Sequence, residues 1–301
     1  MNRDTAALWR EHLREHMVGG APARVLDVGS GPVVLCASGV ASVLWDWVPV
    51  VELLRGDHRV IVLDRPGYAP GQDVAKTLPD LDTEAARLLA VLDTLGVAGP
   101  VTAVGHSFGA AVVEAAARLQ PGRLASLVFL DGSVPEAEGA DPDHDGARAA
   151  HRFRHGTHPV IRSRSARRIW RAVGPALSAA LVPGRRRVAH HLGGLRSEGA
   201  AASTLLASLR ELAGYVSCMN RLRELREQNP LDPHVPLTVV AANGLLPRPG
   251  LSRWVRQVLA QAGQLARETA VRRVVLSRSG HFVMLDQPRR TAELIAQAVP
   301  R

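Results

Sequence analysis

The pentapeptide Gly105-His106-Ser107-Phe108-Gly109 follows an apolar run at 101–104 and leads at once into an Ala-rich helical pattern from Ala110. A serine hydroxyl is a weak nucleophile at neutral pH. To react it needs a base for its proton, a group that holds the base, and donors for the oxyanion that forms. The order strand, G-x-S-x-G, helix places a serine on a sharp, strained turn with its hydroxyl exposed at a strand end. Glycine is required two residues to either side, because side chains there would collide with the adjoining strand and helix. Ser107 then sits at a helix head, where unpaired N–H groups and the helix dipole favour negative charge.

The chain has twelve histidines, so a base must be chosen by context. His281 lies in Ser-Gly-His-Phe, just beyond the last strand-like run, and follows the serine in chain order. Its near-neutral pKa suits a group that accepts a proton and returns it. His106 points away from the nucleophile in a regular turn and reads as a packing or substrate-lining residue. His190, His191 and the histidines from His144 to His158 have no evident partner.

The acid is harder to place. The loop after the run 237–242 offers Asn243, Leu245 and Leu246, and an amide can orient an imidazole but cannot balance its charge. Asp131 ends the run 126–131, and its distance from the serine, 131 − 107 = 24 residues, fits one helix, one turn and one strand. The competing role for Asp131 is a strand cap, since Asp-Gly commonly marks a turn. Asp64 also ends a strand, but its Asp-Arg-Pro-Gly setting reads as a structural turn.

Six short β-branched runs must hold these residues: 33–37, 59–64, 101–105, 126–131, 237–242 and 272–277. Each is apolar at nearly every position, as in strands buried on both faces of a parallel sheet. Helical patterns at 45–54, 81–95, 110–119 and 251–266 separate most of them, which predicts a three-layer α/β fold. Between Asp131 and Pro236 no strand is evident. Helical patterns at 166–182 and 202–228 read there as a cap over the sheet edge where ligands bind. Residues 1–17 read as an amphipathic helix.

At this point the chain resembles the α/β-hydrolase superfamily. The segment 31–47 is similar to the strand and loop that supply half of that family's oxyanion hole, with Ser38-Gly39 where many members have His-Gly. The segment from Asp64 looks like the family's D-x-x-G-x-G, with Ala69 at the last glycine, and 277–288 resembles the histidine segment. The resemblance implies an α/β-hydrolase fold with a mostly parallel sheet. Its core would comprise 1–133 and 234–301, with 134–233 a helical cap inserted after the strand ending near Asp131. It implies oxyanion donors at the N–H groups of Phe108 and Val40, with Gly39 the alternative if the loop register differs. Certain haloalkane dehalogenases, which this chain resembles in this respect, carry the acid one strand early, and that supports Asp131.

The expected activity is that of an esterase-like serine hydrolase using Ser107, His281 and Asp131, with no cofactor. Its substrate would be a small or medium hydrophobic ester, thioester or lactone in a largely enclosed apolar pocket, with an activated C–C bond left open. Asp in place of Ser107 would have implied epoxide hydrolase or dehalogenase activity. The alternative is a hydrolase-fold protein that binds a ligand or partner without turnover, favoured by Ser38, Ala69 and the vacant acid position.

Composition adds limits. The net charge is +9, but Lys76 is the only lysine, so the excess is arginine and reads as coding bias instead of a nucleic-acid surface. No run of about 18 apolar residues marks a membrane span, and the stretch 162–182 reads as a cap helix packing its apolar half on the sheet domain, which argues against membrane contact. Two distant cysteines read as reduced, buried thiols of a cytoplasmic protein. Asp-Pro-Asp-His-Asp-Gly at 141–146 has Arg152 where a calcium loop needs Glu, and Gly-Ser-Gly-Pro at 29–32 lacks the third glycine of a dinucleotide site.

Overall fold

A computed structural model of the chain describes residues 9–69, 72–135, 148, 150–182, 184–185, 201–246 and 249–300. The stretch 141–146, with His144, His190 and His191, lies outside them. Eight strands form one sheet: β1 (Leu13–Val18), β2 (Ala21–Val28), β3 (Val33–Ala37), β4 (Arg59–Leu63), β5 (Val101–His106), β6 (Leu124–Leu130), β7 (Leu237–Ala242) and β8 (Val271–Leu276). Their order is β1-β2-β4-β3-β5-β6-β7-β8, with β2 antiparallel to both its neighbours and β3 to β8 parallel. The six apolar runs thus form the parallel part of the sheet. Residues 13–18 correct the expectation of an N-terminal helix: they form β1 and pair with β2 as a hairpin around Gly19 and Gly20, both at positive φ. Half-exposed edge strands carry polar residues on one face, and over a few residues that pattern passes for an amphipathic helix.

The main helices are α1 (Val48–Leu54), α2 (Leu81–Thr94), α3 (Phe108–Leu119), α4 (Arg164–Leu181), α5 (Ala202–Gln228), α6 (Arg253–Leu265) and α7 (Pro288–Ala298). Two apolar clusters sandwich the sheet: α2, α3 and α6 pack on one face, α1 and α7 on the other. The loops after β3 and β5 therefore leave toward opposite faces. The crevice between them, at the carboxyl ends of the strands, is where open α/β sheets bind ligands.

Only helices fill the described residues between β6 and β7. The second half of α5 is seated firmly: Cys218, Met219, Leu222 and Leu225 join the cluster of α2 and α3. A Cβ on Gly214 would come within 2.5 Å of Pro79. Helix α4 departs from expectation, because Ile169, Val173 and Leu177, one stripe at four-residue spacing, are exposed instead of packed on the sheet domain. No described helix is long and apolar enough to cross a membrane. Cys36 and Cys218 are free and buried.

Several arginines lie inside the molecule. Arg24 pairs with Asp64 at 2.5 Å, while Asp64 Oδ1 accepts the Leu44 N–H at 2.9 Å, which makes Asp64 the structural turn residue it was read as. Glu114 is buried on α3 and accepts from Arg118 at 2.9 Å and from Arg226 of α5 at 2.7 Å. Burial opposes its ionisation, but the charges and hydrogen bonds of Arg226 and Arg118 prevail and hold its pKa below the ordinary 4.5. A carboxylate with a depressed folded pKa stabilises the fold above its unfolded value and loses that contribution as pH falls through the folded one. Glu114→Gln is therefore expected to cost about 3 kcal/mol at neutral pH. The gap from wild type in urea-unfolding midpoints should close below about pH 4.5.

Candidate active site

The strand β5 ends in a backbone turn that only this sequence pattern permits. Ser107 has φ 54° and ψ −123°, a strained conformation, and its N–H donates to Leu130 O at 3.1 Å. A Cβ on Gly105 would lie 2.4 Å from the Cα of Ala110, and one on Gly109 would lie 2.3 Å from Ala37 O. Both glycines are thus demanded by close backbone approach, the first to α3 and the second to the end of β3. Ser107 is half-buried at the head of α3.

Asp131 and His281 meet. His281 Nδ1 donates to Asp131 Oδ2 at 2.6 Å. The other carboxylate oxygen of Asp131 accepts the Ala242 N–H and the Trp254 indole N–H, both at 2.9 Å. Asp131 is 2% exposed, so these bonds supply the partners that a buried carboxylate requires. With Nδ1 donating to the acid, a neutral imidazole presents its free lone pair at Nε2, as a base toward a serine hydroxyl must. Among the described residues, no hydrogen bond joins Ser107 Oγ to His281.

His106 braces His281 from below. It is fully buried, its ring lies tilted with its centroid 4.8 Å from that of His281, and its Nε2 donates to His281 O at 2.8 Å. Burial, and then the neighbouring His281, push its pKa well below the ordinary value, so it stays neutral with its proton on Nε2. The packing role read from the sequence is therefore specific, since His106 holds the backbone of the base. The loop before His281 is fixed by the Gly280 N–H on Asp286 at 2.8 Å and by the Gly244 N–H on Ser279 O at 2.9 Å.

The loop after β3 brings Gly39 against Ser107: a Cβ there would lie 2.6 Å from Ser107 Cβ. The N–H groups of Val40 and Phe108 have no hydrogen-bond partner among the described residues. Ser38, standing where a histidine was noted as common, has its hydroxyl bound by Trp47 Nε1 at 3.0 Å. Trp45 and Trp47 are both buried, as core packing predicts. Asn243 does not touch His281. Its amide bridges Gly250 O at 3.0 Å and the Ser252 N–H at 2.9 Å, bracing its own loop.

The hollow beside His281, about 370 Å³, is lined by Asp131, Ala242, Gly244, Trp254, Gly280 and His281 and is open to solvent. The His281 side chain is 44% exposed. An enclosed pocket was expected, and among the described residues the approach to His281 is open. Leu245, itself 48% exposed, lies near Gly280 and makes an apolar lip. No cluster of three or more metal-binding side chains occurs among the described residues.

A sequence model of the alpha/beta hydrolase family matches residues 33–294. The chain belongs to the alpha/beta hydrolase family. It is 36% identical over 103 residues to a non-heme chloroperoxidase of Streptomyces lividans, covering 34% of this chain and 36% of that protein. It is 33% identical over 113 residues to a polyketide synthase of Burkholderia thailandensis, covering 38% of this chain and 5% of the synthase. The chain thus spans about a third or less of these curated relatives. Among solved structures, Cfl2 of Burkholderia cenocepacia superposes with a TM-score of 0.67 at 20% identity, covering 96% of this chain and 95% of that one. That likeness concerns the fold.

Two contributions have no signal in the sequence pattern: the Trp254 indole on Asp131 and the Glu211 partner of Arg65 behind the loop after β3. Each acts through a contact made in three dimensions. For Asn243→Ala we expect a loss of about 1–2 kcal/mol from its two bridging bonds. The urea-unfolding midpoint measures it.

Proposed function

We propose that the chain is a serine hydrolase that cleaves a carboxylic ester, or a related thioester or lactone, through an acyl-enzyme. Ser107 attacks the carbonyl carbon, and His281 Nε2 takes its proton and then delivers it to the leaving group. Asp131 keeps the imidazole in the Nδ1–H tautomer and stabilises the imidazolium as it forms. The N–H groups of Val40 and Phe108 receive the oxyanion. Water, deprotonated by the same histidine, then releases the acid. The observation that carries the reading is the 2.6 Å bond from His281 to a buried Asp131, beside a serine in the strained turn. Family membership supports hydrolysis, and the apolar lip at Leu245, with Phe282 next to the base, supports a hydrophobic acyl group. We read the helices between β6 and β7 as a cap over the carboxyl edge of the sheet, with residues 134–233 as its extent.

The competing reading is ligand binding without turnover. In its favour, Ser107 has no hydrogen bond to His281 among the described residues. Catalytic hydrogen bonds are often long before substrate arrives, and they tighten in the complex.

A fluorophosphonate probe separates the two readings. The expected outcome is stoichiometric labelling that Ser107→Ala abolishes, whereas a folded protein that stays unlabelled would support binding alone. On short-chain nitrophenyl esters Asp131→Asn should lower kcat by about 10⁴-fold, since an amide stabilises the wrong tautomer.

A further inference from the structure

The loop that carries the Val40 N–H is held from behind by charge. Arg65, 7% exposed, donates through Nη1 to Ser38 O and through Nη2 to Gly39 O at 2.7 Å. Its remaining donors face Glu211 of α5, which is 1% exposed and receives Nε and Nη2 at 2.7 Å each. Tyr68 closes the set, accepting the Ala41 N–H at 2.9 Å and donating to Glu211 Oε2 at 2.6 Å. The Arg65 guanidinium also lies over the ring of Phe108, 5.6 Å from its centroid.

Two physical facts give this arrangement a consequence. In a trans peptide the C=O and N–H point in opposite directions. Fixing Gly39 O on Arg65 therefore turns the Val40 N–H to the other side, and Gly39 itself abuts Ser107. Moreover, a buried ion pair is a poor source of stability, because desolvation offsets most of its attraction. What an arginine fork offers that a lysine or an apolar pair does not is planar, multipoint geometry. Burial opposes the charge on Arg65, yet Glu211 keeps it firmly protonated.

We propose that Arg65, held in place by Glu211 of helix α5, is a positioning residue that aims the Gly39–Val40 peptide N–H at the oxyanion, so that the helical insertion sets the geometry of the catalytic loop. Arg185 applies a second hold of the same kind, donating to Ala41 O while paired with Asp46 at 2.7 Å.

The inference rests on the serine-hydrolase reading, so the test begins with fluorophosphonate labelling of the wild type, whose failure would refute that reading on its own. The variant that separates positioning from folding is Arg65→Met with Glu211→Leu, which replaces the pair by apolar groups and leaves no unpaired charge. The expected outcome is a protein that still unfolds cooperatively in urea, with kcat lowered by about 10²-fold or more, the scale of losing one oxyanion donor. KM should stay within about threefold, because a transition-state interaction is lost and ground-state binding is kept. The inhibition constant of a trifluoromethyl ketone should rise by the factor by which kcat/KM falls. Wild-type kcat in the folded double variant overturns the proposal. Should that variant not fold, Tyr68→Phe decides: a fall of about tenfold in kcat at constant KM supports it, and an unchanged kcat overturns it.

Discussion

The site is organised around one bond, His281 Nδ1 to Asp131 Oδ2 at 2.6 Å. It joins residues 150 positions apart and bridges the end of β6 to the loop after β8, with β7 between them in the sheet. A carboxylate 2% exposed would be costly if its lone pairs were idle, so the surroundings are constrained to meet it. Ala242, at the end of β7, provides a backbone N–H, and Trp254, at the start of α6, provides the indole. Beneath the base His106 carries the other half of the constraint, as a neutral ring that holds the His281 carbonyl. The strand order shapes this contact, because a carboxylate at the end of β6 can reach His281 only past the end of the strand lying between.

The helical segment between β6 and β7 shares in the same machinery. Its α5 packs its second half into the core cluster, and its first half sends Glu211 to Arg65 behind the loop after β3. Arginine is abundant in the sequence for reasons that looked purely compositional. Yet Arg24, Arg65 and Arg118 are all buried and each is paired with a carboxylate. Part of the arginine content is therefore internal architecture. The fork of an arginine side chain reaches several acceptors at once, and here its acceptors include the peptide carbonyls beside Ser107.

What could be read beforehand follows from how local each signal is. The parallel strands were legible because burial on both faces leaves an uninterrupted β-branched run. Gly105 and Gly109 were legible because their demand is steric and lies within the pentapeptide itself. Asp131 was singled out by position at a strand end, and the structure does bring its carboxylate to His281. Strands β1 and β2 were not legible, since an edge hairpin with one wet face has no continuous apolar run. The face of α4 was misjudged because a helical stripe fixes which residues share a side but not what covers that side. Trp254 and Glu211 sit in unremarkable sequence, and their importance comes from contacts across 123 and 146 positions.

The claim at the centre is that Asp131, through His281, makes Ser107 a nucleophile. Rapid acid quenching during turnover of a nitrophenyl ester, followed by peptide mapping, tests it most directly. The account predicts an acyl group on the peptide containing Ser107 in the wild type, and none on the same timescale in Asp131→Asn. An acyl group carried by a different residue, or Ser107 acylated equally fast in Asp131→Asn, would contradict it.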